Sequence, residues 1–421
     1  MSEEGRLDNK IKGTFPDEMA RFLRNAGKQA QKRGKRLYLV GGVVRDLLLG
    51  RRNEDIDLVL EGDAIGLARR LLGRRNGKVT EHHRFSTAKV QWAGWSVDVA
   101  TARRETYSRP GALPKVKPGT MDDDLLRRDF TVNAMAVDLS SENYGALLDP
   151  YGGMDDLQRK QLRVLHERSF IDDATRIWRG MRYEQRLGFQ FEAKTLNLLK
   201  RDINMLETIS GDRIRHELEL VLKEKCPGKV FHRADELGVL GKIHPGLKAS
   251  DWLTGKFDQA RKISAPESVS SGLYLALLAY HLDSKEVKKL IVCLKFSKML
   301  AQVLQDTISL KGRLKALEEP ELKPSRIYAL LCGYQLTAVT ANQVAADSTL
   351  VAGHIMRYLK KLRHVKPSLT GKDLELLGMP PGPQMKEILT KLRDARLNGK
   401  VKNRRGEEEM VRGLLHTVKR S

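Results

Sequence analysis

Leu37-Tyr38-Leu39-Val40-Gly41-Gly42-Val43-Val44-Arg45-Asp46, with Asp55-Ile56-Asp57-Leu58-Val59-Leu60 behind it, decides the fold. Four apolar residues predict a short strand, two glycines break it, and Val43–Leu49 opens a helix. Ile56–Leu60 predicts a second strand. Side chains alternate along a strand, so Asp55 and Asp57 project from one face. Two carboxylates that close repel unless a cation lies between them, and hard oxygen donors suit Mg²⁺ held jointly with phosphates. A lone Asp-x-Asp is also what a solvated strand edge looks like; its neighbours weigh against that. Gly41 and Gly42 let backbone N–H groups approach a phosphate at a helix start, and Arg45 adds a cation, although the same residues would make a tight turn. Downstream, Asp98 between Val97 and Val99 is a candidate third carboxylate.

Outward from this stretch, Ala88–Trp92 and Trp95–Ala100 predict a hairpin over Ala93-Gly94. Phe130–Leu139 continues the sheet or forms a helix beneath it. From about Leu157 the apolar spacing becomes helical, with one helix ending at Leu187-Gly188 and another over Ile214–Leu222. Residues 224–421 read as Leu-rich helices, broken at Met379-Pro380-Pro381-Gly382-Pro383. The expected fold class is α+β: a mixed α/β head followed by an all-helical remainder.

The 421 residues carry 76 basic and 53 acidic side chains, a net charge of +23. Residues 224–421 hold 35 basic and 20 acidic ones, net +15, which favours a polyanion-binding surface over scattered solvated faces. No apolar stretch approaches the roughly 18 residues of a membrane helix, and Met1-Ser2-Glu3-Glu4 does not resemble a signal or transit peptide. Three widely spaced cysteines exclude a disulfide framework and fit a reducing cytosol. The absence of G-x-x-x-x-G-K-[ST] and of the kinase signatures excludes those phosphoryl-transfer classes. His82-His83 has no third clustered ligand for zinc.

Two further clusters carry chemistry. Arg127-Arg128-Asp129-Phe130-Thr131-Val132-Asn133-Ala134 could bind triphosphate and sugar hydroxyls, or make a structural salt bridge. Asp172-Asp173-x-x-Arg176-x-x-Arg179-x-x-Arg182 puts Asp173 and Arg176 on adjacent turns of one helical face, the spacing of an intrahelical ion pair. The same pair has a second use. Cytosine and adenine each show an amino donor beside a ring-nitrogen acceptor, and a carboxylate with a guanidinium matches that edge. Uracil and guanine would leave polar groups unpaired.

Taken together, these segments closely resemble the class II tRNA nucleotidyltransferase and bacterial poly(A) polymerase family of the DNA polymerase beta superfamily. Leu39–Asp46 with Asp55-Ile56-Asp57 is similar to the catalytic motif, and Arg127–Ala134 to the ribose-recognition motif. Asp149-Pro150-Tyr151-Gly152-Gly153 with Asp155-Asp156-Leu157 is similar to the head–neck hinge. Asp172-Asp173-Ala174-Thr175-Arg176 is similar to the amino-acid template, and Ser210–Leu218 to the final neck motif. One departure stands out: the template motif usually begins Glu-Asp, and here it begins Asp172-Asp173.

The resemblance implies template-independent transfer of CMP and AMP, from CTP and ATP, to the tRNA 3′ end, with release of pyrophosphate. It implies Mg²⁺, as two ions, on Asp55 and Asp57, with Asp98 assisting the attacking hydroxyl. Gly41, Gly42 and Arg45 would contact triphosphate; Arg128, Asp129 and Asn133 would contact sugar and phosphate. Asp173 and Arg176 would read the base, with Arg179 beside them in the nucleotide site. The resemblance also implies a head at 1–156, a helical neck at 157–223, a body at 224–310 and a tail at 311–421, and the basic C-terminal half would grip the acceptor and T arm. Arg103–Asp124 looks like the family's flexible loop, which disfavours CC-only addition but leaves full CCA and A-only addition open. Glu81–Ala88 lacks the extra arginines of the poly(A) polymerases, and no His-Asp dipeptide suggests a phosphohydrolase. Poly(A) polymerase and a catalytically silent RNA-binding protein remain the alternatives.

Overall fold

The computed structural model describes residues 6–73 and 75–418, so Met1–Glu4 lies outside the described residues. The chain divides into two compact units, one of residues 1–226 with 236–242 and one of 227–235 with 243–421.

The first unit is built on a seven-stranded sheet. Its strands are β1 (Leu37–Val40), β2 (Ile56–Leu60), β3 (Gly77–His82), β4 (Thr87–Trp92) and β5 (Trp95–Thr101). A separate hairpin pairs β6 (Arg103–Thr106) with β7 (Lys115–Pro118), and β8 (Ala136–Asp138) and β9 (Leu147–Leu148) complete the main sheet. The order is β3-β4-β5-β2-β1-β8-β9. Only β2 and β5 run parallel; the other neighbours are antiparallel. The expected β4–β5 hairpin turns at Ala93 (φ 45°) and Gly94 (φ 83°), and two successive positive φ values match the twist of the strands. Of the two forms expected for Phe130–Leu139 the structure shows the first: after a 3₁₀ turn at Thr131–Asn133 the segment continues the sheet as β8, paired with β1.

Helices Asp17–Gln31 and Ala64–Leu72 pack on the sheet. The Phe22 ring stacks on Trp92 at 4.5 Å, and Trp92 Nε1 donates to Glu18 at 3.1 Å. Gly27 meets the Leu139 carbonyl so closely that a Cβ would lie 1.7 Å from its oxygen. Tyr38, Val40, Val59 and Ala136 pack against Met121 and Leu125 of helix Met121–Leu126. Truncating the fully buried Leu125 to Ala would cost about 3 kcal/mol through lost burial and the cavity left behind. Asp57 lies two residues from Val59, so it stands on this same face, at its open end.

The hinge motif is held by backbone donors. Asp149 accepts from Gly153 N at 2.7 Å and Met154 N at 2.8 Å. Buried Asp156 accepts from Thr131 Oγ1, and a Cβ on Gly153 would lie 2.3 Å from the Thr131 carbonyl oxygen. Helix Thr175–Leu187 ends at Gly188 in the left-handed conformation, as expected, and Gly211–Leu222 forms the later helix. Flanking the first of these helices, the structure adds a two-residue parallel pair, Gln161–Leu162 with Gln190–Phe191, to a neck expected to be wholly helical.

The second unit is helical. Leu310, Ile327, Val339, Ile355 and Leu397 share one apolar cluster, and Leu374, Leu392 and Val411 share another. Fully buried Glu407 accepts from the backbone N–H groups of Ser368 and Leu369 and from Arg396 at 2.7 Å. The proline-rich break places Pro383 in the first turn of helix Pro383–Leu397, where its missing N–H costs nothing. Leu310 packs with residues beyond it, so the expected body–tail boundary crosses one cluster. Among the described residues no helix is long and apolar enough to cross a membrane.

Candidate active site

A cavity of about 640 Å³ opens in the first unit, bordered by β2 and β5. Gly42, Arg45, Asp55, Asp57, Asp98, Arg128, Asp129, Asn133, Asp173, Arg176 and Arg179 all border it. Of the residues expected from sequence, only Gly41 is not on its wall. Eight arginines and six carboxylates line it, a balance that suits a polyphosphate carrying a divalent cation.

The carboxylates come first. Asp57 pairs in register with Asp98 on the parallel strands β2 and β5. Such partners carry their side chains on one face about 5 Å apart. Asp55, one residue before β2, is exposed, and its N–H donates to Asn53 Oδ1 at 2.9 Å. Burial pushes the Asp57 carboxyl up to about 6; Arg128 opposes the rise, and Asp98 and Asp55 add to it. Lys89, opposite Asp98 on β4, meets it at 3.0 Å. These crowded oxygens are the donor set a hard divalent ion needs. Among the described residues no three His, Cys, Asp or Glu side chains could hold an ion by themselves. Phosphate oxygens would complete the coordination shell here.

A chain of buried hydrogen bonds backs the site. Arg45 is 1% exposed. It donates through Nε and Nη2 to Asp46, at 2.9 Å each, and through Nη1 to Asn133 Oδ1 at 2.6 Å. Asn133 Nδ2 donates to Asp129 Oδ1 at 2.9 Å, and Arg179 Nε donates to Asp129 Oδ2 at 2.8 Å. Burial would raise the Asp129 carboxyl, but Arg179 and Asn133 hold it down at about 2. Arg45, expected as a triphosphate contact, therefore has its nitrogens turned inward onto protein, and orders Asn133. Gly41 has φ +80°, and a Cβ there would lie 2.6 Å from Arg128 Nη1, so only glycine leaves that guanidinium its place. Helix Gly42–Leu48 has only seven residues. The open backbone of the glycines is thus its main contribution.

Asp173 Oδ1 accepts from Thr175 N at 3.0 Å, Thr175 Oγ1 at 2.7 Å and Arg213 Nη2 at 2.8 Å. Buried Arg176 donates to Ser169 Oγ and to the Arg127 carbonyl. Both members of the pair are held by other residues rather than by each other. The intrahelical ion pair that the spacing permitted is absent among the described contacts. Asp172 reaches back to Arg168 at 3.6 Å.

Several wall residues escaped sequence reasoning. Glu105 accepts from Arg103, Arg127 and the Tyr107 hydroxyl. Burial and Glu105 push the Tyr107 hydroxyl well above the ordinary phenol range. Tyr183 is flanked by Arg45, Arg182 and Arg186, each guanidinium 5.2–5.4 Å from its ring centre. The i, i+4 spacing of Arg182 and Arg186 about Tyr183 was the available signal.

Residues 37–163 match the Poly A polymerase head domain, and 188–250 match a probable RNA and SrmB-binding site of polymerase A. An A-adding tRNA nucleotidyltransferase of Geobacter sulfurreducens is 36% identical over 411 residues, covering 93% of this chain and 47% of that protein. A second, from Halalkalibacterium halodurans, is 33% identical and covers 95% of this chain and 93% of that protein. The chain thus spans about half the length of the first relative and nearly all of the second. A solved apo CCA-adding enzyme superposes with a TM-score of 0.84 at 30% identity, over 96% of this chain and 98% of the other. The order of motifs, the sheet that carries them and these matches agree: this chain belongs to the tRNA nucleotidyltransferase and poly(A) polymerase family.

Proposed function

We propose that the protein transfers nucleotides, one at a time and without a nucleic-acid template, from ATP or CTP to the 3′ end of tRNA. The observation that carries this is the meeting, in one cavity, of the Asp57–Asp98 pair with Asp173 and Arg176. The tRNA 3′-oxygen forms a bond to the α-phosphorus, the α–β anhydride bond breaks, and pyrophosphate leaves. Asp55 and Asp57 would hold Mg²⁺, as two ions. Bound there, the metal would lower the pKa of the attacking hydroxyl and neutralise charge on the departing pyrophosphate. Asp98 orients the hydroxyl. Gly42 and Arg128 border the triphosphate, Gly41 leaves Arg128 its place, and Asp129 with Asn133 borders the sugar. Asp173 accepts from the base amino group while Arg176 donates to the ring nitrogen, with Arg179 beside them.

Addition of A to a tRNA ending in CC is the favoured reading, because both relatives above are A-adding. Full CCA addition is the second reading, favoured by the CCA-adding structural neighbour and by a pair that fits C and A alike. The second unit would bind the acceptor and T arm through phosphates and shape. Exposed Arg313, Lys315 and Arg326 border a cavity of about 620 Å³ there, and none pairs with a carboxylate among the described residues. The division into head, neck, body and tail belongs to the same proposal. So does a cytoplasmic site of action, which Cys226, Cys293 and Cys332, none of them in a disulfide, suit.

The test supplies CTP and ATP, separately and together, to tRNAs ending before CCA, after C and after CC. AMP addition only to the last supports the A-adding reading, and stepwise C, C and A supports the second. Long A tails on any RNA would make it a poly(A) polymerase. No incorporation would overturn the enzyme reading.

A further inference from the structure

The final neck motif reaches a residue on the cavity wall. Arg213, in the first turn of helix Gly211–Leu222, reaches Asp173 Oδ1 at 2.8 Å, forty residues away in sequence. It is the one ion-pair partner of Asp173 among the described residues. Its other terminal nitrogen donates to the Gly111 carbonyl at 3.4 Å, in the connection between β6 and β7. That connection is tightly seated: a Cβ on Gly111 would lie 2.4 Å from the Thr208 carbonyl oxygen.

A carboxylate's last torsion is broad, so Asp173 by itself would swing. Reading a base edge needs one acceptor at one place. The three donors that converge on Oδ1 leave Oδ2 as the oxygen for an incoming amino group. Thr175 supplies two of the three, but both sit on one side, two residues along the chain. Arg213 approaches from another helix and closes the remaining freedom. Arg176 needs no such help, since Ser169 and the Arg127 carbonyl already fix it.

We propose that Arg213 is a positioning residue for nucleotide choice, acting through Asp173; this rests on the base-reading role given to Asp173 above. The test measures kcat/KM for ATP, CTP, UTP and GTP on a tRNA ending in CC. It compares wild type, Arg213→Ala, Asp173→Ala and the double variant. Arg213→Ala should lower the preference for the correct nucleotide over UTP and GTP about tenfold while tRNA affinity is kept. In the Asp173→Ala background it should change that ratio less than about twofold, the signature of two residues acting as one unit. Arg213→Lys, which keeps the charge but loses the fork, should fall between. If Arg213→Ala does not fold, Arg213→Gln carries the same comparison.

An unchanged ratio in the Arg213 variants, with a changed one in Asp173→Ala, overturns this inference alone. An equal further loss in the Asp173→Ala background also overturns it, because Arg213 would then act independently. An unchanged ratio in Asp173→Ala would instead overturn the base-reading role itself.

Discussion

The two units bury polar groups in different ways. In the first, Arg45, Asp46, Asp129 and Asn133 are buried together, and their hydrogen bonds lead from one to the next toward a cavity. In the second, buried polar groups stand apart and satisfy nearby backbone. Glu407 takes the Ser368 and Leu369 N–H groups, Asn342 donates to the Thr307 and Ala338 carbonyls, and Asp306 takes the Gln335 N–H. The second unit's unpaired cations face outward instead. A buried charge network is costly to assemble and repays that cost by fixing geometry. An exposed cation costs little and can meet any phosphate. The comparison suits the proposed division, with bond-making in the first unit and grip in the second.

The strongest way to break that division is to remove the carboxylates. Asp55→Ala with Asp57→Ala should lower nucleotide incorporation at least about 10³-fold, the scale of losing catalytic metal stabilisation. Filter binding of tRNA should stay within about twofold, as phosphate contacts elsewhere supply the affinity. Equal loss of binding and activity would erase the distinction. Glu407→Ala is the converse probe. It strands two backbone donors and Arg396, so unfolding free energy should fall by about 3 kcal/mol. Turnover at a temperature where the variant is folded should be unchanged; denaturant melts and initial rates check the two halves.

Arg313→Glu with Arg326→Glu sharpens the comparison from the binding side. Affinity for tRNA should fall about tenfold, and the salt dependence of log K should flatten by about two counterions. The rate at saturating tRNA should hold. The smallest effect concerns acid. Arg179 and Asn133 hold Asp129 at about 2 in the folded state, below its unfolded value of about 3.9. The stability this confers is therefore complete above pH 4 and is lost as pH falls from 4 toward 2. Asp129→Asn should flatten that limb of a pH–stability curve.

Much of the head could be read from the sequence because its signals are local. A strand ended by Gly41-Gly42, an alternating Asp-x-Asp and a two-residue turn at Ala93-Gly94 each constrain their own backbone. Gly188 marks a helix end for the same reason. What stayed hidden depends on tertiary contact. β8 is three residues long, and so short an apolar run suits strand or helix until β1 and β9 pair with it. Arg45 reads as a free cation until Asn133, 88 positions away, accepts its hydrogen bond. Glu105 carries no motif, and the Arg213–Asp173 contact joins two segments that sequence shows only as separate motifs. The order of five motifs, by contrast, was enough to point to the family before any coordinates.

One measurement bears most directly on the central claim, that side chains in the first unit choose the nucleotide with no template strand. A tRNA ending in CC is offered each of the four ribonucleoside triphosphates with Mg²⁺, using wild type and Asp173→Ala. The account predicts that wild type adds AMP, or AMP and CMP, strongly over UMP and GMP, and that Asp173→Ala loses this preference. Equal incorporation of all four by wild type, or an unaltered preference in Asp173→Ala, would contradict it.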